Sequence, residues 1–494
     1  MSPEQLGRGL EELEEADLIA ELSSETGKVY VFRHALFQDV AYDSLLDTPR
    51  RELHARIADA LSQEGASLPP APPAVVAQHF TEARLLRAAI HHWLRASHHA
   101  AERSDNVEAA GHLNQAIELA AALDDPGEAA DLELELRARL VPPLLAAHGY
   151  ASEHVARNTA RATALFPVAR SAEPKIVILR TDCNWAIVRA EYTRASGFAA
   201  EIARLAAHTK ESGLTLDALL LSGLVALYQG RLEIARENLD DCLALYDASI
   251  HSKYSIRQGV DIASAAHAYL SRALWLLGDA HRAEQAAMEA VERAVQSRIP
   301  LAETQAQGMK MLLHLAAGDV PKVRTSANRT MELAQRRGQL YWVCLVSAVS
   351  AWLDSLSAAT PEALLAVDRS LHAYRGTGSR LGLSWLLLLR ADVEHRVHLP
   401  GRAQATLEEA LDFVRESDER YYLPEIYRVH AKLLWHARGQ RDRARAMLDR
   451  ALDVATEQGA VAWRVKTAAT CANLRLAEAG TAHALSSSYS LIAP

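Results

Sequence analysis

Hydrophobic positions at the start of the sequence change their spacing from one segment to the next. Leu6, Leu10 and Leu13 recur at the interval of one helix face, and the proline at position 3 suits a first helical turn. Two short apolar runs follow, and the polar link between them contains Gly27, which is typical of a hairpin. The pattern predicts a helix over residues 3–15, strands over 18–22 and 29–32, and helices over 34–46 and 50–63.

A proline-rich stretch interrupts this pattern after the last of these helices. Four prolines fall within residues 69–73, where they cannot continue a helix. Beyond them, nearly every segment has helical spacing. The sequence predicts a partial winged-helix domain over residues 1–66, a linker over 67–74, helical repeats over 75–480 and a C-terminal tail over 481–494.

The helical region has an internal period. Small residues recur every 40 or 41 residues, at Ala290, Thr330, Ser370, Ala410 and Ala451. In tetratricopeptide repeats such a position lies where the paired helices touch, because helix axes approach closely only where the side chains are small. The sequence therefore predicts an all-α, tetratricopeptide-like solenoid whose helices are longer than those of the 34-residue repeat.

A second set of positions supports the same register. In such repeats a glycine or small residue closes the first helix of each pair, twelve residues before the small contact position. The residues found there are Gly278, Gly318, Ala358, Gly439 and the exception His398. An earlier pair, Gly230 with Cys242, precedes the Gly278 unit by 48 residues.

The composition and the terminal sequence argue against nucleic-acid binding, secretion and membrane spanning. The net charge of −9 provides no general attraction to nucleic acid or anionic lipid. The four cysteines lie far apart, without a CxxC pair, as expected of a protein in the reducing cytosol. The polar, acidic residues 1–15 do not resemble a signal peptide, and the apolar runs 218–228 and 381–389 are shorter than a membrane span. These features predict a cytoplasmic protein.

Each candidate motif for catalysis or metal binding lacks a required residue or the required spacing. The Gly27-Lys28 pair lacks the first glycine and the hydroxyl residue of a phosphate-binding loop, so a hairpin turn is the better interpretation. Ser384 lacks the second glycine of a nucleophile elbow. Histidines near His91 and His98 are seven residues apart on a helix, too far for one ion unaided. We therefore expect no catalytic residue, no metal and no cofactor.

DNA binding is also not expected. In a winged helix the helix before the hairpin usually reads the major groove. Here that helix carries five glutamates against Arg8 alone, so it would repel phosphates.

Several phrases in order resemble the C-terminal region of bacterial STAND-type signalling ATPases, many of which carry class III cyclase or LuxR-type DNA-binding domains. The phrases are FRHAL at 32–36, QHFTEA at 78–83, AIHHWLRA at 89–96, GYAS at 149–152 and PEIYR at 424–428. In that family the winged-helix histidine contacts the bound nucleotide, so the resemblance implies a nucleotide-sensing role for His34, with Arg33 beside it. The alternative is a histidine that caps or packs against its helix.

Together these observations predict a non-catalytic interaction or sensor arm of a bacterial signalling or transcription-regulatory ATPase. Its repeats would bind a protein or peptide partner or a small-molecule inducer, and an upstream nucleotide-binding ATPase domain would be a further partner. The alternative is a fragment of an ATP-binding adenylate cyclase or ATPase whose catalytic domains lie upstream.

Overall fold

The computed structural model divides into two compact units. Unit 1 comprises Met1–Ala147 and Ala160–Ser171, and unit 2 comprises His148–Thr159 and Ala172–Pro494. One of the boundaries between their segments falls within the helix α8 (Glu153–Ala164). The residues that the structure describes are 3–24, 27–62, 71–103, 105–148, 152–209, 211–258, 260–437, 439–478 and 491–492.

Unit 1 begins with the predicted helix, hairpin and two helices. The strands pair antiparallel with Ile19 opposite Phe32. The third helix begins at Asp47, three residues before the predicted start, because Pro49 is tolerated within a first helical turn. Residues 67–70 of the predicted linker lie outside the described residues, and helix α4 begins at Pro73, within the predicted linker. The elements are α1 (Pro3–Glu15), β1 (Ile19–Ser24), β2 (Gly27–Phe32), α2 (Ala35–Asp43), α3 (Asp47–Ser62), α4 (Pro73–Glu82), α5 (Leu86–Glu102), α6 (Asn106–Ala120) and α7 (Pro126–His148).

Unit 2 is built from antiparallel helix pairs. In each pair the first helix is buried on most sides, whereas the second buries one stripe. The first helices are α9 (Ala172–Val188), α11 (Ser212–Tyr228), α14 (Ile262–Leu277), α16 (Pro300–Ala317), α18 (Leu340–Ser357), α20 (Leu383–Arg396), α22 (Leu423–Trp435) and α24 (Val461–Glu478). The second helices are α10 (Tyr192–Thr209), α12 (Leu232–Leu245), α15 (Ala280–Ser297), α17 (Val320–Arg336), α19 (Pro361–Gly376), α21 (Pro400–Ser417) and α23 (Arg441–Glu457).

This arrangement confirms the predicted tetratricopeptide-like fold. The small positions Ala290, Thr330, Ala410 and Ala451 are completely buried, and only Ser370 is half-buried. Ala290 illustrates the need for a small side chain. Its carbonyl accepts a hydrogen bond from the Ser264 hydroxyl of the paired helix at 2.8 Å, so the backbone of Ala290 lies close to that helix. Small side chains at this position let the two helix backbones come together.

The residues that close the first helices differ in conformation. Gly278 and Gly318 cap their helices in the left-handed region, which glycine adopts without strain. His398 adopts the same region with φ of 62°. Ala358 is extended instead. The longer interval after Gly230 has a structural cause, because the additional helix α13 (Ala248–Gln258) is inserted between α12 and α14.

Unit 2 also makes contacts between repeats far apart in sequence. The Val188 carbonyl at the end of α9 accepts hydrogen bonds from the amides of Arg380 and Leu381 at 2.8 and 3.0 Å. The Tyr228 carbonyl at the end of α11 accepts from the amides of Arg420 and Tyr421 at 2.8 and 3.2 Å. The first helices of early repeats are thus tied directly to the segments that lead into α20 and α22.

Helix α18 is long and apolar enough to cross a membrane by length and composition alone. Sequence inspection missed it, because its apolar residues are interspersed with serines. More than half of its length is buried within unit 2, where it packs on α16, α17, α19 and α20. The core helix of a soluble protein has the same character, so this helix is weak evidence for a membrane span.

Candidate functional site

The predicted nucleotide-sensing residues lie on the surface of unit 1. His34 occupies the N-cap position of α2 with an extended backbone, and its side chain makes no capping hydrogen bond. Its ring packs edge-on against Phe37 at 5.7 Å between centroids. The guanidinium of Arg33 forms an ion pair with Asp17 at 2.9 Å. The geometry agrees with a packing histidine, and the nucleotide-sensing role stays a prediction.

The histidine-rich helix α5 has a structural explanation. His92 is buried and stacks on Phe80 at 5.1 Å, and burial lowers its pKa. His98 is exposed and lies near Glu102. Within the described ranges no group of three or more histidine, cysteine, aspartate or glutamate residues could hold a metal ion.

Buried charges on the first helices of unit 2 mark a different site. Asp392 lies on α20 and is completely buried. One carboxylate oxygen, Oδ2, accepts a hydrogen bond from the indole of Trp352 on α18 at 2.7 Å. The other, Oδ1, accepts a hydrogen bond from the backbone amide of Leu491. Trp352 thus orients a carboxylate that binds a main-chain N–H group.

Two cations on α22 bind the carbonyl of the same residue. The guanidinium of Arg428 donates to the Leu491 carbonyl at 3.2 Å, and the ammonium of Lys432 donates to it at 3.0 Å. Arg428 is itself held in place by two hydrogen bonds to Glu425, both at 2.7 Å, and by one to Thr470 of α24 at 3.1 Å. We call Asp392, Arg428 and Lys432 the main-chain clamp.

The clamp encloses the segment that it binds. Leu491 is completely buried and Ile492 is 9% exposed, although both lie far in sequence from α20 and α22. An amide N–H and a carbonyl are groups that every residue except proline carries, so the clamp recognises the peptide backbone. The burial of both aliphatic side chains adds a preference for apolar residues.

The electrostatics of the clamp reflect its burial. Removal from water and the positive charge of the neighbouring Arg428 lower the pKa of Lys432 to about 8, although the carboxylates of Asp392 and Glu425 act to raise it. The pKa of Glu425 is lowered although its burial raises it, because the charge and hydrogen bonds of Arg428 favour the carboxylate. Buried charges without partners are costly, so the clamp favours an occupant that supplies both an amide and a carbonyl.

Sequence reasoning missed this site, although a signal was present. Trp352, Asp392 and Lys432 are each 40 residues apart, so they occupy the same position in three successive repeats. Two charged residues at one repeat position on apolar helices are unusual, because such positions normally face the core. The pairing of these residues with Leu491 had no sequence signal.

Comparison with known proteins supports the fold. A Rap protein solved in complex with competence and sporulation factor is similar to this chain, with a TM-score of 0.56 and 10% identity. The match covers 75% of this chain and 99% of the Rap chain. The apo quorum sensor NprR from B. thuringiensis is also similar, with a TM-score of 0.43, 12% identity, and coverage of 74% of this chain and 97% of its own.

Sequence comparison gives a further similar protein. An uncharacterized protein of Rhizobium meliloti (strain 1021) is 23% identical over 443 residues, which are 88% of this chain. The matched region spans only 42% of that relative's length. No protein-family model matches the chain.

Proposed function

We propose that unit 2 is a non-catalytic binding arm that takes a protein or peptide partner on its first helices. The observation that carries this proposal is the main-chain clamp, in which Asp392, Arg428 and Lys432 bind both backbone groups of one residue. Side chains on a rigid pair of helices that bind backbone groups suit a peptide ligand, whose amides and carbonyls need partners when they leave water.

Two comparisons support this proposal. The similar Rap protein was solved in complex with competence and sporulation factor, so a related arrangement of helices takes a ligand. The Rhizobium relative is more than twice as long as the region it shares with this chain, which supports an arm within a larger protein. We further propose that the larger protein is a signalling or transcription-regulatory ATPase, on the basis of the phrases around His34 and Pro424.

The test is selection of peptides from a random library on the purified chain, followed by affinity measurement on clamp variants. We expect Lys432→Met to weaken the selected peptides by at least about tenfold, because it removes a charged donor and keeps the aliphatic stem. The control is Arg450→Gln, which removes the same charge from the exposed face of α23. Failure to select any peptide, or equal binding to Lys432→Met and wild type, contradicts the proposal.

A further inference from the structure

The main-chain clamp is already filled by the chain itself. Residues 491–492 lie in it, and Leu491 uses its amide and its carbonyl there. A partner peptide that needs the same three side chains cannot bind while these residues are present. The site and its occupant therefore compete with any external ligand.

Resting on the proposed function, we propose that residues 491–492 are a built-in competitor of the clamp, and that the partner is a peptide segment with two consecutive aliphatic residues. The partner binds by displacing Leu491 and Ile492. Its first aliphatic residue takes the buried position of Leu491, and its backbone bonds to Asp392, Arg428 and Lys432.

Three features of the site carry this inference. First, two of the three clamp residues are held by neighbours other than the segment: Asp392 by Trp352, and Arg428 by Glu425 and Thr470. The site therefore keeps much of its geometry when the segment leaves, which is the condition for exchange of one ligand for another.

Second, an empty clamp is unfavourable. Asp392 is completely buried and Lys432 is half-buried, and without Leu491 each loses a hydrogen-bond partner. A buried charge that loses a partner is costly, which favours replacement of one peptide by another over an open site.

Third, the recognised feature is small. The clamp binds the segment through the backbone amide and carbonyl of Leu491. Such a contact is held mainly because both parts belong to one chain, where the effective concentration is about millimolar. An external peptide with more contacts can therefore outcompete it.

The test uses the full chain and a fluorescent peptide of residues 487–494, SSYSLIAP, with blocked ends. In Leu491→Asp a carboxylate replaces a completely buried aliphatic side chain, which expels the segment and opens the clamp. We expect the peptide to bind Leu491→Asp at least about tenfold more tightly than wild type, because the internal competitor is removed.

The matched control is Val465→Asp, which places the same carboxylate at a valine of α24 that is 61% exposed. It should bind the peptide as weakly as wild type. Equal affinity of wild type and Leu491→Asp, or binding to neither, overturns the inference. If library-selected peptides then still bind and still depend on Lys432, the proposed function stands without the built-in competitor. If they do not bind, the proposed function fails as well.

A second measurement does not depend on a substitution. Hydrogen exchange of the amide of Leu491 is followed in the wild-type chain while a library-selected peptide is added. Displacement predicts faster exchange at this amide, because it loses its bond to Asp392. A bound peptide with unchanged exchange there overturns the inference.

Discussion

At the scale of single residues, unit 2 holds several histidines away from water. His267 on α14 is the clearest case, since burial lowers its pKa to about 4, with a further contribution from the positive charge of Arg293. The negative charges of Glu289 and Asp240 act to raise this pKa and so offset part of the lowering. Its Nδ1 atom has no hydrogen-bond partner within the described part of the chain. His267 is therefore held as a neutral imidazole at neutral pH.

This state makes stability depend on pH. Below pH 6.5 the unfolded chain takes up a proton at position 267, whereas the folded chain does not until about pH 4. Stability is therefore lost as the pH falls between these values. Between these pH values we expect the free energy of unfolding to fall by about 2 kcal/mol less in His267→Gln than in wild type, allowing for partial exposure of the ring. Urea unfolding at pH 7 and pH 4.5 measures the difference.

The matched control for this prediction is His281→Gln. His281 lies on the exposed face of α15, where it contacts Gln285. The free energy of unfolding of His281→Gln should change between the two pH values by the same amount as that of wild type. If His267→Gln and wild type lose the same free energy of unfolding between the two pH values, His267 titrates normally in the folded state.

At the scale of helices, close packing decides where glycine is needed. Gly308 lies within α16, and a Cβ atom there would overlap the ring of Trp342 on α18. Gly197 within α10 has nothing within 4 Å of the corresponding position. The two glycines share a helical backbone and differ in their surroundings.

The substitution to alanine should therefore have opposite signs at these positions. Alanine favours a helix over glycine by about 1 kcal/mol, so Gly197→Ala should stabilise unit 2 by up to that amount. Gly308→Ala should destabilise it by about 1–2 kcal/mol, because displacement of a buried indole outweighs the helical gain. Chemical denaturation of both variants checks this, and a stabilising effect of Gly308→Ala would show that α16 and α18 are further apart.

The sequence could predict the contacts between neighbouring helices but not those between distant repeats. The 40-residue interval located the helix pairs, because close contacts between neighbouring helices require small residues such as Ala290 and Ala410 at fixed positions. Periodicity carries no information about contacts outside the repeat. The hydrogen bonds from the Leu491 amide to Asp392 and from the amides of Tyr421 and Arg420 to Tyr228 therefore had no signal in the sequence.

At the scale of unit 2 as a whole, the distant contacts change how the repeats should unfold. In an open solenoid each repeat contacts its neighbours alone, so one end can unfold while the other persists. Here Glu419, which is completely buried before α22, accepts hydrogen bonds from Tyr192 at the start of α10 and from the amide of Gly382. The early and late repeats therefore share one buried polar network.

We expect Glu419→Gln to destabilise α9 and α10 together with α20 and α22. The carboxylate accepts from Tyr192 at 2.7 Å and from Gly382 at 2.8 Å, as well as from Ser384. An amide nitrogen cannot accept, so at least one buried donor loses its partner, at a cost of about 1–3 kcal/mol. Hydrogen exchange followed by mass spectrometry should show faster exchange in all four helices.

The control, Glu416→Gln, alters an exposed ion pair with Arg380 and should leave exchange nearly unchanged. If Glu419→Gln speeds exchange in α20 and α22 alone, the repeats unfold independently despite the bonds between them.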